Sequence, residues 1–283
     1  QYALAYSKLA SAYMRKHLSF DPNIKWEQEA YSAAGQALAI DSDLANPYLI
    51  RGQFFWSPSH DFAHEEAIGE FKKAIDRDPT LSQAYEQLAL VQLHIGLFED
   101  AIKNATKSLE LEPDNFRARR FVAEALLFQG DYQASLKDFE KIPSRFAPLP
   151  TLSFKALNLL YLGKAETAVG LIDTKLAENP ENPNLNSVNA VILAYQGKNS
   201  EAKHYMQVAV ENSRDFIHAH HVYYNLGLAA ALMDQKETAL DWLVKAADTG
   251  FPNYPLYQSD PMLANLKSDP GYQRFLGTLK EKW

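Results

Sequence analysis

Cysteine is absent from the 283-residue chain. Disulfides, thiolate nucleophiles and thiolate-held metals are thereby excluded, while the compartment stays open between cytoplasm and periplasm, since a cysteine-free fold is stable in either. No run of about 18 apolar residues occurs, so no membrane-spanning helix is predicted. The opening QYALAYSKLA lacks the basic-then-apolar order of a secretory signal. It also lacks an initiating methionine, from which a fragment or a processed product, with more chain upstream, is expected. Positive charge is in deficit, with 28 Lys and Arg against 35 Asp and Glu. A nucleic-acid binder needs clustered basic charge to neutralise phosphates, so that class is excluded too.

Catalytic constellations are equally missing. The sequence has no phosphate-cradling glycine loop, no nucleophile elbow and no HExxH, and its carboxylates fall where solvated helix faces belong. Glu65 and Glu66, just before Ala67, suit a helix start better than acid-base chemistry. No catalytic residue, cofactor or metal ligand is assigned, and the chain is read as non-enzymatic.

What the chain does contain is repetition. Between Ser82 and Pro183 a small residue is followed seven positions later by Gly and twelve later by Ala or Ser. The sets are Ala89, Gly96, Ala101; Ala123, Gly130, Ser135; Ala156, Gly163, Ala168; and Ala190, Gly197, Ala202, spaced by 34, 33 and 34 residues. A period of this size marks a solenoid of stacked supersecondary units. Within residues 116 to 142, Phe121, Val122, Ala125 and Leu126 recur at helical spacing, a turn follows at Gly130-Asp131, and Tyr132, Leu136, Phe139 and Ile142 form a second stripe. Each unit is therefore predicted to be an antiparallel helix pair, with glycine where a helix closes at positive φ and small residues where two axes meet closely.

The unit Tyr85, Leu88, Ala89, Gly96, Phe98, Ala101, Ser108, Pro113 resembles the tetratricopeptide repeat (TPR) family in its order of aromatic, aliphatic, small, turn glycine, aromatic, small, small and terminal proline. The resemblance implies an all-α solenoid, a right-handed superhelix of about seven helix pairs. Its units begin near residues 3, 45, 82, 116, 149, 183 and 220, with early anchors Ala10, Gly52, Ala89, Ala123, Ala156, Ala190 and Gly227. The later anchors are Ala30, Ala67, Ala101, Ser135, Ala168, Ala202 and Ala239. Insertions are expected around His17 to Lys25, Trp56 to Asp61 and Ser213 to Ala219. The solenoid is placed at 1–250, and 251–283 is read as a capping segment. Its Asp260-Pro261 and Asp269-Pro270 steps suit helix starts, and Tyr272, Phe275, Leu276, Leu279 and Trp283 share one apolar face. The segment from Gly250 onward also resembles the endings of repeat modules in large bacterial signalling proteins, which implies a regulatory setting.

In the resembled family ligands lie along the concave face built from the first helices. The resemblance therefore implies a partner-binding groove formed by Glu86, His94, Arg117, Arg120, Glu124, Phe128, Tyr161, Asn184 and Tyr195. Its aromatic stripe either packs against the next repeat, as stripes at repeat spacing commonly do, or suits a peptide or helix, and its two arginines suit an acidic segment. Two family devices are missing. Glu86 and Leu90 stand where a basic clamp for chaperone tails would be. Gln87, Phe121, Phe154, Val188 and Asn225 replace the asparagine ladder of sugar-transferring enzymes. His218, His220 and His221, with His204 a repeat helix away, form the densest group of imidazoles. Without an acid or thiolate at diagnostic spacing they are read as a solvated junction. The leading reading is a module that binds a protein or peptide, with no nucleic acid, no membrane span and an unassigned oligomeric state. The repeat region of an enzyme whose cyclase, kinase or glycosyltransferase domain lies upstream, and a small-molecule sensor, stay open beside it.

Overall fold

The computed structural model describes residues 2–146, 148–214, 216 and 218–282, the side chain of Lys282 excepted. Trp283 and parts of the insertion at Ser213 to Ala219 therefore lie outside the described residues. Among those described there is no strand.

Seven helix pairs follow one another along the described chain. They are α1 (Tyr2–Ser19) with α2 (Ile24–Ile40), α3 (Ala45–Phe55) with α4 (His64–Arg77), α5 (Ser82–His94) with α6 (Phe98–Leu111), and α7 (Phe116–Gln129) with α8 (Tyr132–Glu140). After these come α9 (Leu149–Tyr161) with α10 (Ala165–Glu178), α11 (Pro183–Tyr195) with α12 (Asn199–Glu211), and α13 (Ala219–Leu232) with α14 (Lys236–Asp248). A short α15 (Tyr254–Ser259), a 3-10 turn over Pro261–Leu266 and α16 (Pro270–Lys282) complete the chain.

Sequence explains where these elements start and stop. Asn182 Oδ1 accepts the Leu185 N–H at 3.1 Å and Pro183 opens α11, while Asp131 Oδ1 accepts the Ala134 N–H at 3.1 Å at the head of α8. Between the helices of the middle pairs, Gly96, Gly130, Gly163 and Gly197 all adopt positive φ, between 72° and 87°. The corresponding turn of the last pair uses Asp234 at φ 58°, a residue type that tolerates the left-handed region.

All fourteen small anchors are buried, twelve of them with no exposed surface beyond the two glycines. The reason is close approach. A Cβ built on Gly227 would stand 2.5 Å from Leu243 Cδ2, and one on Gly52 2.3 Å from Phe71 Cε1, so only glycine admits these side chains.

The helices gather into two compact units, one comprising residues up to 92 together with 99–118, the other residues 93–98 together with 119 onward. In the first, Ala10, Met14, Ala30, Ala33, Ala34, Ile50 and Phe54 form a core, and Tyr31 stacks on Phe54 with centroids 4.1 Å apart. The insertion after α3 folds back onto this core. Asp61 and Phe62 take φ of 49° and 51°, Phe62 packs against Trp56, and Ser59 Oγ donates to the buried Glu27 carboxylate at 2.6 Å. The second unit contains the C-terminal segment as well as the later pairs.

Candidate functional site

In the second unit, α7, α9, α11 and α13 are the first helices of their pairs, and buried polar contacts tie neighbouring pairs together. Asn158 Nδ2 donates to Ser135 Oγ at 3.0 Å, and Ser135 Oγ donates to the Ala123 carbonyl at 2.7 Å. Asn225 Nδ2 donates to Ser187 Oγ at 3.0 Å. The Asn158 and Asn225 amide N–H groups and the Ser135 hydroxyl thus have partners, which is what makes their burial tolerable.

Against these helices lies the protein's own segment from Phe251 to Pro261. Phe251 has no exposed surface and meets Phe128, His94, His221 and Tyr224 edge-on, with centroids 4.9 to 5.8 Å apart. Asn253 Nδ2 donates to the Leu93 carbonyl at 2.9 Å, and its Oδ1 accepts the Leu256 N–H at 3.2 Å. A Cβ on Gly96 would stand 2.6 Å from Pro255 Cδ, so this turn glycine serves a close approach as well as a backbone angle. At the far end, Asp260 Oδ2 accepts the hydroxyl hydrogens of Tyr161, at 2.6 Å, and of Tyr224, while its Oδ1 accepts the Met262 N–H at 2.7 Å.

Charge and burial oppose one another in this network. Burial raises the Asp260 carboxyl above the usual carboxylate range, and the two tyrosine hydrogen bonds pull it back down. Burial first, and the neighbouring Asp260 charge second, push the Tyr161 and Tyr224 hydroxyls well above 10. The same two causes push Tyr132 up to about 12, its ring stacked 4.8 Å from that of Tyr161.

The residues expected to line an open groove consequently have other surroundings. His94, Phe128 and Glu124 are buried, and Tyr161 is engaged by Asp260. Arg120 pairs with Glu124 at 2.8 Å and its side chain is 15% exposed, so its charge is spent inside the fold. An aromatic stripe at repeat spacing is apolar surface that water disfavours, and here Phe251 and Asp260 engage its Phe128 and Tyr161. Asn184 is buried as well, whereas Tyr195 remains 47% exposed. In the first unit, Arg117 pairs with Glu86 at 3.3 Å, with side chains 47% and 8% exposed. Both border an open cleft of about 700 Å³ lined also by Gln83, Leu111 and Asn115. By contrast, the cavity beside Tyr161 and Asp260 holds only about 90 Å³. His204 is exposed on α12 and stands apart from the other three imidazoles, which gather instead with His94.

A tetratricopeptide repeat family model matches residues 70–103. The solved structure of a tetratricopeptide repeat protein from Parabacteroides merdae superposes with a TM-score of 0.61, covering 98% of this chain and 99% of that one at 15% identity. Residues 70–103 thus match the tetratricopeptide repeat, and the fold is that of a tetratricopeptide repeat protein. Among curated relatives of the repeat protein, a DnaJ homolog subfamily C member 7 homolog of Dictyostelium discoideum is 30% identical over 120 residues, 41% of this chain and 21% of its own length. The Hsp70-Hsp90 organizing protein 1 of Glycine max is 29% identical over 156 residues, 53% of this chain and 27% of its own length. The chain thus spans about a fifth to a quarter of the length of these relatives.

Proposed function

We propose that this tetratricopeptide repeat chain is a non-enzymatic interaction module that docks a protein or peptide partner on the open cleft beside Glu86 and Arg117. The observation that carries the reading is the contrast between two parts of the single groove that the resemblance implies. The aromatic face of α7, α9 and α13 is filled by the chain's own residues, whereas the Arg117 guanidinium stands half exposed at a cleft of about 700 Å³. There Arg117 and Glu86, with Glu112 and Asp114 also in the lining, present a partner with a guanidinium donor and carboxylate acceptors together.

A small-molecule sensor is less well supported, because the enclosed cavity of about 90 Å³ falls below the roughly 300 Å³ of ordinary ligand pockets. The regulatory setting, as one module of a larger bacterial signalling protein, rests on the resemblance of the tail. The much greater length of the curated relatives is compatible with it.

The test begins with capture of partners from the source organism and resynthesis of the bound segment as a peptide. Arg117→Glu is expected to weaken its binding at least tenfold, and Tyr195→Ala reports whether the second unit contributes. Binding unchanged in Arg117→Glu removes the cleft from consideration.

A further inference from the structure

Four of the chain's eight histidines meet in the second unit. His94 comes from the last turn of α5, and His218, His220 and His221 from the start of α13. One ring nitrogen from each lies within 4.8 Å of the others, and the Nε2 atoms of His94 and His221 are 3.1 Å apart. We propose that these four imidazoles form a binding site for a late first-row transition metal ion, zinc above all, which ties the end of α5 to the start of α13.

Three observations distinguish this from ordinary packing of aromatic rings. The first is convergence. Rings that merely fill space have no reason to bring four nitrogens to one locus, whereas a tetrahedral ion at about 2.0–2.1 Å from each nitrogen asks for separations of about 3.4 Å, within about 1.5 Å of those present. The second is tautomer. His220 Nδ1 is 3.0 Å from the Thr249 carbonyl, which can only accept, so Nδ1 carries the hydrogen and the Nε2 lone pair is left as the ligating one. That backbone carbonyl is the kind of outer partner that orients metal-bound histidine. The third is the wall. Phe251 stacks on His220 and meets His94 and His221 edge-on, and Phe154 meets His221 at 5.2 Å, so the rings are held in an apolar surround.

Arg120 would repel a cation, but its charge is offset by Glu124 at 2.8 Å. The donor set decides the metal class. Imidazole nitrogen suits zinc, copper, nickel and cobalt, while magnesium and calcium require oxygen. Four protein ligands leave no open position, so the ion would be structural and would not activate water.

The experiment uses tag-free full-length chain, stripped with chelator and titrated with Co²⁺, whose visible absorption reports nitrogen coordination. One equivalent is expected to bind, to be displaced by Zn²⁺, and to raise the thermal midpoint. His94→Gln and His218→Gln should each weaken Co²⁺ binding at least tenfold, and His204→Gln should leave it unchanged. His218 is only partly buried, so its variant keeps the comparison available should His94→Gln fail to fold. No spectral change on Co²⁺ addition to the parent chain, or equal binding by His218→Gln and His204→Gln, overturns the proposal.

Discussion

Tyr161 donates its hydroxyl hydrogen to Asp260 over 2.6 Å, although 99 positions separate the two in sequence. The contact, doubled by Tyr224 on the same carboxylate oxygen, anchors the C-terminal segment to α9 and α13. Asp260→Ala leaves two buried hydroxyls without their acceptor and removes the cap on Met262. It should cost about 3 kcal/mol, against about 1 kcal/mol for Tyr161→Phe, which deletes only one hydrogen bond. Urea melts of both variants and of the double variant are the measure. Additive losses would mean that the two side chains do not act on each other.

Asp260→Asn separates charge from hydrogen bonding. The folded carboxyl is raised above its unfolded value near 3.8, so the protonated form's contribution is full below that value and is lost as pH rises through the folded one. The parent should therefore lose stability relative to Asp260→Asn between pH 3 and neutrality. A constant difference across that range would show that burial does not govern this group.

At the alkaline end the tyrosines dominate. Tyr161, Tyr224 and Tyr257 are all held well above 10, chiefly by burial. Their contribution is intact below pH 10 and is lost above it, because the unfolded chain gives up those protons first. Unfolding in the second unit should thus become easier on passing pH 10, followed by circular dichroism together with tyrosinate absorption. The full tyrosinate absorption of all fifteen tyrosines appearing before helix loss would contradict it.

Anchor substitutions test the packing directly. Ala123 and Ala156 have no exposed surface, so replacing either by Leu forces helices apart and should cost about 1 to 3 kcal/mol, while Lys137→Ala on the exposed face of α8 should be nearly silent. Equal urea midpoints would place these residues away from any helix contact.

Removing residues 270 to 283 is expected to promote association. Tyr272 is fully buried and donates to the Tyr257 carbonyl at 2.6 Å, and Leu279 is 4% exposed, so loss of α16 uncovers apolar surface. Light scattering of the truncated chain checks this, and a stable monomer would rule out a covering role for α16.

The repeat itself was legible because each anchor meets the same demand in every unit: two helix axes close together leave room for Ala, Gly or Ser and little else. Turn glycines were legible for the matching backbone reason. The destination of residues 251–261 was not, since a single long-range segment leaves no periodic trace, and the Asp260-Pro261 step signals a helix start without naming Tyr161 or Tyr224 as partners. For the same reason His94 could not be joined to His218, His220 and His221, and Arg120 looked available when Glu124, one turn along, already held it.

Because Phe251, Asn253 and Asp260 complete a surface begun at Leu93, the order of synthesis matters. While the chain is being made, α7 and α9 leave the ribosome well before the residues that cover them, and their aromatic faces stay wet until residues 251–260 emerge. A polypeptide that stopped after α14 would leave that apolar surface facing water, the kind of surface through which unfinished chains associate.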